Sequence, residues 1–202
     1  MINKKQKKEK SIKLLNFSSK LFETKLTEVD TYFYEKTNNQ NINKNMIKGF
    51  QQFLGCFDFF LEDILEVDDI EECDITIYGM ATLENGSIIR ATNKYHNKPW
   101  FSDVAISMDS TEFSDYQSDE GLCYGKILLM AEIKIEKKPP LNLALVQWYD
   151  FKLQRNSYLY NCPLLKLVEL YNLIPIETID NIVHIISRFD KTNEFFVNKY
   201  IS

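Results

Sequence analysis

LCYGKILLMAEIKIEKKPPLNLALVQWYDF, residues 122–151, is the part of the chain that indicates the fold most clearly. Its first part, 122–135, is apolar over the length of a long strand, and the polar run Lys137-Lys138-Pro139-Pro140 ends it. The second part alternates, as the two-residue period of a strand requires. One side carries Leu141, Leu143, Leu145, Gln147, Tyr149 and Phe151, and the other carries Asn142, Ala144, Val146, Trp148 and Asp150. The stretch therefore predicts two successive strands.

Further strands are predicted before this stretch. The apolar runs 75–83 and 88–92 flank Asn85-Gly86, a strong hairpin signal, because both residue types tolerate a positive φ. Residues 100–108 predict another strand, and 109–120 form an acidic surface loop. Several short strands joined by polar loops predict a mostly antiparallel β domain.

The N-terminal part has a helical period instead. One stripe recurs at steps of three and four residues: Leu14, Phe17, Leu21, Phe22, Leu26, Val29 and Phe33. After a polar loop at 35–44, a second stripe follows: Met46, Phe50, Phe53, Leu54, Phe57, Leu61, Ile64 and Leu65. Two such helices predict an antiparallel helical hairpin.

These patterns predict an α+β protein in four parts. They are a disordered basic leader (1–11), the helical hairpin (12–66), an acidic linker (67–74) and the β domain (75–202). The phenylalanines of the second helix leave two alternatives open: packing onto the β domain, or a homodimer through Phe50, Phe53, Phe57 and Phe60.

The charge distribution narrows the function classes. The net charge is -5, although residues 1–10 carry five Lys and one Glu. An acidic surface repels phosphate backbones, so we expect no nucleic-acid partner except through the basic leader. Because no run of 18 apolar residues occurs, we predict no membrane span. The absence of a secretory signal pattern predicts an intracellular protein.

Residues that carry chemistry are sparse. Four separate cysteines (Cys56, Cys73, Cys123 and Cys162) form no C-x-x-C pair, and the two histidines have no second ligand at metal spacing. Neither a phosphate-binding Gly-rich loop nor a G-x-S-x-G elbow is present. We therefore predict no metal and no cofactor. The enzyme alternative rests on Cys123 or Cys162 coupled to His96 or His184.

A family resemblance covers residues 76–201. The segments IIRATNKYHNKPWFSDVAIS, GLCYGKILLMAEIKI, LNLALVQWYDF, IPIETIDNIVHIISRFD and EFFVNKYI resemble, in this order, the C-terminal tail of fungal KDZ (Kyakuja–Dileera–Zisupton) transposase-like proteins. The resemblance implies a transposon-derived, fungal and nuclear protein. That family's catalytic acids lie in an RNase-H-like core upstream of the tail, and this chain resembles no part of that core. The resemblance therefore implies no strand-transfer or nuclease activity.

A more distant resemblance is to bromo-adjacent homology (BAH) domains. It rests on Val146-Gln147-Trp148-Tyr149 and on the segments 165–170 and 174–179. It implies a distorted, SH3-like β barrel. The family usually places an aromatic residue and often an arginine where this chain has Asp150 and Phe151. An aromatic cage that reads methyl-lysine is therefore incomplete here.

The predicted site is an aromatic groove formed by Tyr124, Trp148 and Phe151. Such rings hold a cationic side chain by cation–π attraction, and the acidic loop 109–120 favours a basic peptide, such as a histone tail. The alternative for Trp148 is burial in the core. Three functions stay open: a non-catalytic protein-binding module, a vestigial transposon fragment without biochemical activity of its own, and an enzyme.

Overall fold

A computed structural model describes residues 15–38, 42–64, 72–107, 121–152 and 162–198. The basic leader (1–11) and the acidic loop (109–120) lie outside the described residues, as does most of the acidic linker (67–74).

The described chain is α+β, with two helices and a sheet of 11 strands. The elements are β1 (Asn16–Lys25), α1 (Leu26–Thr37), α2 (Lys44–Phe59) with a π-helical turn (Phe60–Ile64), β2 (Cys73–Thr82), β3 (Ile88–Tyr95), β4 (Lys98–Phe101), β5 (Asp103–Ser107), β6 (Leu122–Ile135), β7 (Leu141–Phe151), β8 (Leu164–Pro175), a 3-10 turn (Ile176–Thr178), β9 (Ile179–Ile182), β10 (His184–Ser187) and β11 (Phe195–Asn198). Neither helix is long and apolar enough to cross a membrane.

The sheet is antiparallel at every described pairing and curls round on itself. Its main order is β10-β11-β8-β7-β6-β2-β3-β4, with β1 on β2 and β5 on β6. Strand β9 pairs with β5, while β10, which follows after Val183 alone, pairs with β11. The pairings run from β5 through β6, β7, β8 and β11 to β10, and the chain itself joins β10 to β9, which pairs with β5. The predicted mostly antiparallel, barrel-like β region is confirmed at this level.

The prediction of a helix from Leu14 onward is wrong for its first part. Residues Asn16–Lys25 form a strand that pairs with β2, from Asn16 opposite Thr82 to Lys25 opposite Asp74. The register shifts between Lys20 and Phe22, next to Ser19 at φ 59°. This bulge inserts an extra residue, so apolar side chains five positions apart, Phe17 and Phe22, both contact the core. The predicted helical stripe instead joined Phe17 to Leu21, four positions on, but Leu21 is 38% exposed in the strand.

The two helices pack onto the sheet. Asn43 caps α2 by accepting a hydrogen bond from the backbone N–H of Asn45 at 2.8 Å. Phe33 of α1 stacks on Phe50 of α2 with ring centroids 4.8 Å apart. These rings share one buried cluster with sheet residues, including Ile75, Ile77, Leu129, Ala131 and Leu145.

Four phenylalanines of the second helix and its π-helical turn lie in this cluster. Phe50, Phe53, Phe57 and Phe60 are all buried. Packing on the sheet is therefore the alternative that the structure shows for these four rings. Phe59, on another side of the helix, is 51% exposed.

Candidate functional site

The structure does not bring the three predicted aromatic residues into one groove. Tyr124 lies opposite Tyr149 in the β6–β7 register, and Gly125 lies opposite Trp148. Because successive side chains of a strand alternate, Tyr124 and Trp148 point to opposite faces of the sheet. Phe151 shares the face of Tyr124, and the two ring centroids are 5.9 Å apart.

Each of these rings belongs to the core of its own face. Tyr124 is buried in a cluster with Ala105, Tyr149, Leu165 and Val197, and Phe151 packs against that cluster. Trp148 is half-buried, packs on the cluster of the other face, and donates its indole N–H to Oδ1 of Asn172 at 2.8 Å. A ligand-binding role for the three rings stays a prediction, and it would need separate contacts on two faces.

A polar network lies beside the buried tyrosines. Oδ1 of Asp103 accepts hydrogen bonds from Nζ of Lys126 at 2.7 Å and from the hydroxyl of Tyr149 at 2.9 Å. Burial raises the pKa of Asp103, although Lys126, Tyr149 and the more distant His184 act in the opposite direction. Burial and the Asp103 charge also raise the pKa of Tyr149 far above its usual range. The network therefore holds a tyrosine that stays protonated.

Three of the cysteines, Cys56, Cys73 and Cys123, are poor nucleophiles in this fold. Burial raises the pKa of Cys56 and Cys123, and burial together with the charges of Asp74 and Glu72 raises that of Cys73 to about 11. The thiolate is the reactive form, so these thiols are unreactive near neutral pH. Within the described ranges, no three His, Cys, Asp or Glu side chains are grouped so that they could hold a metal ion.

A depression of about 200 Å³ opens between the β2–β3 turn and the start of β9. We call it the acidic depression. Eight residues line it: Leu15, Leu83, Glu84, Asn85, Ile176, Glu177, Ile179 and Asp180. Its three carboxylates, Glu84, Glu177 and Asp180, are exposed, and no basic residue of the described ranges lines it.

The floor of the acidic depression is apolar. Leu83 is 6% exposed, Ile176 0% and Ile179 5%, because these side chains belong to one core cluster. These three side chains close the depression underneath but leave little surface for contact, and the half-buried Leu15 supplies the accessible apolar part of the lining. The site therefore combines an anionic rim with a small apolar patch, which suits a cationic side chain whose methylenes lie on that patch.

The β2–β3 turn forms one wall. The predicted hairpin at Asn85-Gly86 is confirmed, but only Gly86 takes a positive φ, at 88°. The backbone N–H of Gly86 donates to the carbonyl of Leu83 at 2.9 Å, and that of Ser87 donates to Oδ1 of Asn85 at 2.8 Å. The turn thus begins one residue earlier than predicted and places Glu84 at its tip.

The opposite wall is the 3-10 turn and the start of β9. Thr178 donates its hydroxyl to the carbonyl of Pro175 at 2.8 Å, which holds the turn that carries Glu177. Asp180 accepts a hydrogen bond from the hydroxyl of Ser107. Asn85 donates to the backbone carbonyl of Asp180 at 2.7 Å and so joins the two walls.

Sequence reasoning missed this site because its two walls are far apart along the chain. The hydrogen bond from Asn85 to Asp180 spans 95 positions. Each wall alone carries only common surface acids. The one available signal is the Asn85-Gly86 turn, which predicts where a wall bends but not what faces it.

The chain matches no family model, no curated protein and no solved structure.

Proposed function

We propose that the chain is a non-catalytic protein-binding module, derived from a transposon protein tail, that binds a basic peptide segment in the acidic depression. The observation that carries the proposal is the apolar floor beneath three exposed carboxylates. The finer fold proposal is a BAH-like, SH3-like barrel in a nuclear protein. The curled antiparallel sheet supports it, as does the sequence order of residues 76–201.

The chemistry of the site favours lysine or arginine over other residues. Each exposed ion pair contributes only about 0.2–1 kcal/mol, so the carboxylates orient a cation more than they hold it. Each buried methylene adds about 0.8 kcal/mol, and the half-buried Leu15 is the lining residue that offers apolar surface for that burial. A single side chain therefore binds weakly, and useful affinity needs neighbouring residues of the peptide.

Lysine methylation is compatible with this site, since a methylated ammonium keeps its charge and gains apolar surface. In the part of the chain that the structure describes, no aromatic ring lines the acidic depression. We therefore expect at most a small preference for a trimethylated over an unmodified lysine, unlike the large preference that an aromatic cage produces.

The test measures, by fluorescence anisotropy, the affinity of the full chain for labelled histone-tail peptides. Each peptide is used in an unmodified and a lysine-trimethylated form. The variant Glu84→Gln/Glu177→Gln removes two rim charges from exposed positions. We expect peptide binding to weaken about threefold to tenfold, because two surface ion pairs are lost. The matched control, Asp58→Asn/Glu136→Gln, removes the same charge from exposed positions outside the depression and should leave binding unchanged.

Three outcomes would contradict the proposal. Equal weakening in both double variants would mean that only the net charge attracts the peptide. Loss of binding in Trp148→Phe, with no effect of the rim variant, would place the site at the predicted aromatic residues. No peptide binding by the folded chain would favour the vestigial-fragment alternative.

A further inference from the structure

A second surface, separate from the acidic depression, lies on the hairpin of β3 and β4. Tyr95 pairs with Lys98 across a two-residue turn, in which His96 and Asn97 have φ values of 48° and 61°. Positive φ at both central residues matches the twist of the flanking strands, so the turn is a tight one. Strand β4 ends the main strand order of the sheet, which leaves this hairpin at its border.

The charge of this hairpin is opposite to that of the whole chain. Residues 88–101 contain Arg90, Lys94 and Lys98 and no acidic residue, whereas the chain carries a net charge of -5. The side chains of Lys94, His96 and Lys98 are exposed. The hairpin is therefore a local site of attraction for anions on an acidic protein.

The aromatic rings of Tyr95 and Trp100 lie beside these charged side chains. Trp100 is 48% exposed, and its ring centroid lies 5.4 Å from that of Tyr95, with the ring planes at 74°. The guanidinium carbon of Arg90 lies 4.3 Å from the Tyr95 centroid and 5.5 Å from the Trp100 centroid. The rings and the planar cation thus form a platform that is partly open to water.

The platform is held in place. Arg90 donates from Nη1 to the carbonyl of Ile88 at 3.2 Å, and its backbone N–H donates to the hydroxyl oxygen of Ser102 at 3.0 Å. Its Nε is buried and has no hydrogen-bond partner in the described part of the chain, so the two rings are a main contact of the cation. A platform fixed in this way binds a flat ligand with little loss of side-chain entropy.

We propose that this hairpin, residues 88–101, binds single-stranded nucleic acid. Trp100 offers a ring face for a base, Arg90 extends the stacked surface, and Lys94 and Lys98 lie on either side of the turn to contact phosphates. Unpaired bases are required, because the bases of a duplex are already stacked on each other. An acidic peptide would use the positive charges but leave the aromatic face uncovered, so the platform favours a nucleic acid.

The test is fluorescence anisotropy of labelled oligonucleotides of about 12 nucleotides, oligo(dT) and oligo(U), with the full chain at several salt concentrations. We expect Trp100→Ala to weaken binding about tenfold, the typical effect of removing one stacking ring, and Trp100→Phe to retain most of it. We expect Lys94→Gln/Lys98→Gln to reduce the slope of log K against log salt by about 1.4, since each phosphate contact contributes about 0.7 on single strands.

Matched controls remove the same groups elsewhere. Phe189→Ala removes a ring that is fully exposed on the β10–β11 turn, and Lys137→Gln/Lys138→Gln removes two charges from the β6–β7 turn. Neither should change the affinity by more than about twofold, because neither touches the platform. Oligo(dT) and oligo(U) bound equally would show recognition of bases and phosphates. A preference for oligo(U) over oligo(dU), which differ only in the 2′-hydroxyl, would add a contact to that group.

The proposal is overturned if the folded chain binds neither oligonucleotide. It is also overturned if the hairpin variants and their controls weaken binding equally, or if a labelled oligo-glutamate peptide binds more tightly with the same dependence on Trp100 and the two lysines. The last result would identify the hairpin as a site for acidic peptides. Basic peptides and the Glu84→Gln/Glu177→Gln variant report separately on the acidic depression.

Discussion

The side-chain amide of Asn85 donates a hydrogen bond to the backbone carbonyl oxygen of Asp180 at 2.7 Å. The same amide donates to Oδ1 of Asn181 at 2.8 Å, while Oδ1 of Asn85 accepts from the backbone of Ser87. One side chain therefore shapes the β2–β3 turn and ties it to β9. The acidic depression exists because these two segments are held at this separation.

We predict that Asn85→Ala lowers the free energy of unfolding by about 1–2 kcal/mol, since three hydrogen bonds at an exposed position are lost. Urea denaturation measures this change. Asn181→Ala, which removes only one of the three bonds, should cost less. If the midpoint of urea unfolding is the same for both variants as for the wild type, the contact between Asn85 and β9 has no role in stability.

A glycine on β6 gives a second prediction. A Cβ added at Gly125 would lie 2.1 Å from Cγ1 of Val146, whereas one added at Gly55 on α2 would have nothing within 4 Å. Gly125→Ala should therefore destabilise the protein by about 1–3 kcal/mol or more through overpacking. Gly55→Ala should stabilise it by about 0.5–1 kcal/mol, because alanine loses less entropy in a helix.

Thermal unfolding of the two glycine variants provides the measurement. An unchanged or raised melting temperature of Gly125→Ala would contradict the close approach of β7 to Gly125, and a lowered one of Gly55→Ala would contradict the prediction for α2. A second check is Val146→Ala combined with Gly125→Ala. It should recover part of the loss, since the added methyl group then has room.

The buried carboxyl group of Asp103 predicts a pH dependence. Burial raises its pKa in the folded state, whereas the ordinary value is 3.8. The folded state therefore holds this proton more tightly than the unfolded state does. As the pH rises from about 3.8 through the folded-state pKa, this group's contribution to stability falls.

Asp103→Asn has no proton to lose at this position. The free energy of unfolding of the wild type, minus that of Asp103→Asn, should therefore decrease as the pH rises through this window. Urea denaturation of both proteins at a series of pH values measures the difference. A difference that grows with pH would mean that Lys126 and Tyr149 outweigh burial and lower the pKa of Asp103 instead.

Thiol alkylation provides the fourth prediction. The pKa of Cys73 is raised to about 11, against an ordinary value of 9.0, and its side chain is 3% exposed. At about pH 8 the thiolate population of Cys73 is thus roughly 100-fold below that of an ordinary thiol. Iodoacetamide labelling followed by mass spectrometry should show at least this retardation relative to the denatured chain. Equal labelling rates in the native and denatured protein would contradict the burial of Cys73.

Local patterns predicted those elements whose side chains follow one period throughout. The stretch 141–151 keeps its two-residue alternation and forms β7, and the stripe of Phe50, Phe53 and Phe57 keeps a helical period and forms α2. Strand β1 was mispredicted because its bulge between Lys20 and Phe22 breaks the alternation. A bulge is stabilised by the partner strand, so no pattern within 16–25 alone reveals it.

The three candidate sites, namely the aromatic residues, the hairpin 88–101 and the acidic depression, also differ in how far local sequence indicates them. The alternation of β7 already separates Trp148 from Phe151, and the register of Gly125 opposite Trp148 also separates Tyr124 from it. Residues 88–101 carry basic residues and no acidic one, which the sequence shows directly. The contact of Arg90 with Trp100, in contrast, depends on the pairing of β3 with β4. The acidic depression depends on a contact between Asn85 and Asp180 that neither segment encodes alone.

Hydrophobic period and turn chemistry act over a few residues, so local sequence was enough to predict the α+β class, the strands 122–135 and 141–151, and the hairpin at Asn85-Gly86. The face that each ring occupies, the pairing of β1 and the grouping of carboxylates over Ile176 and Ile179 follow from long-range contacts instead. Those features arise from register and from the curl of the sheet, which bring together residues distant in the chain and are set by packing of the whole core.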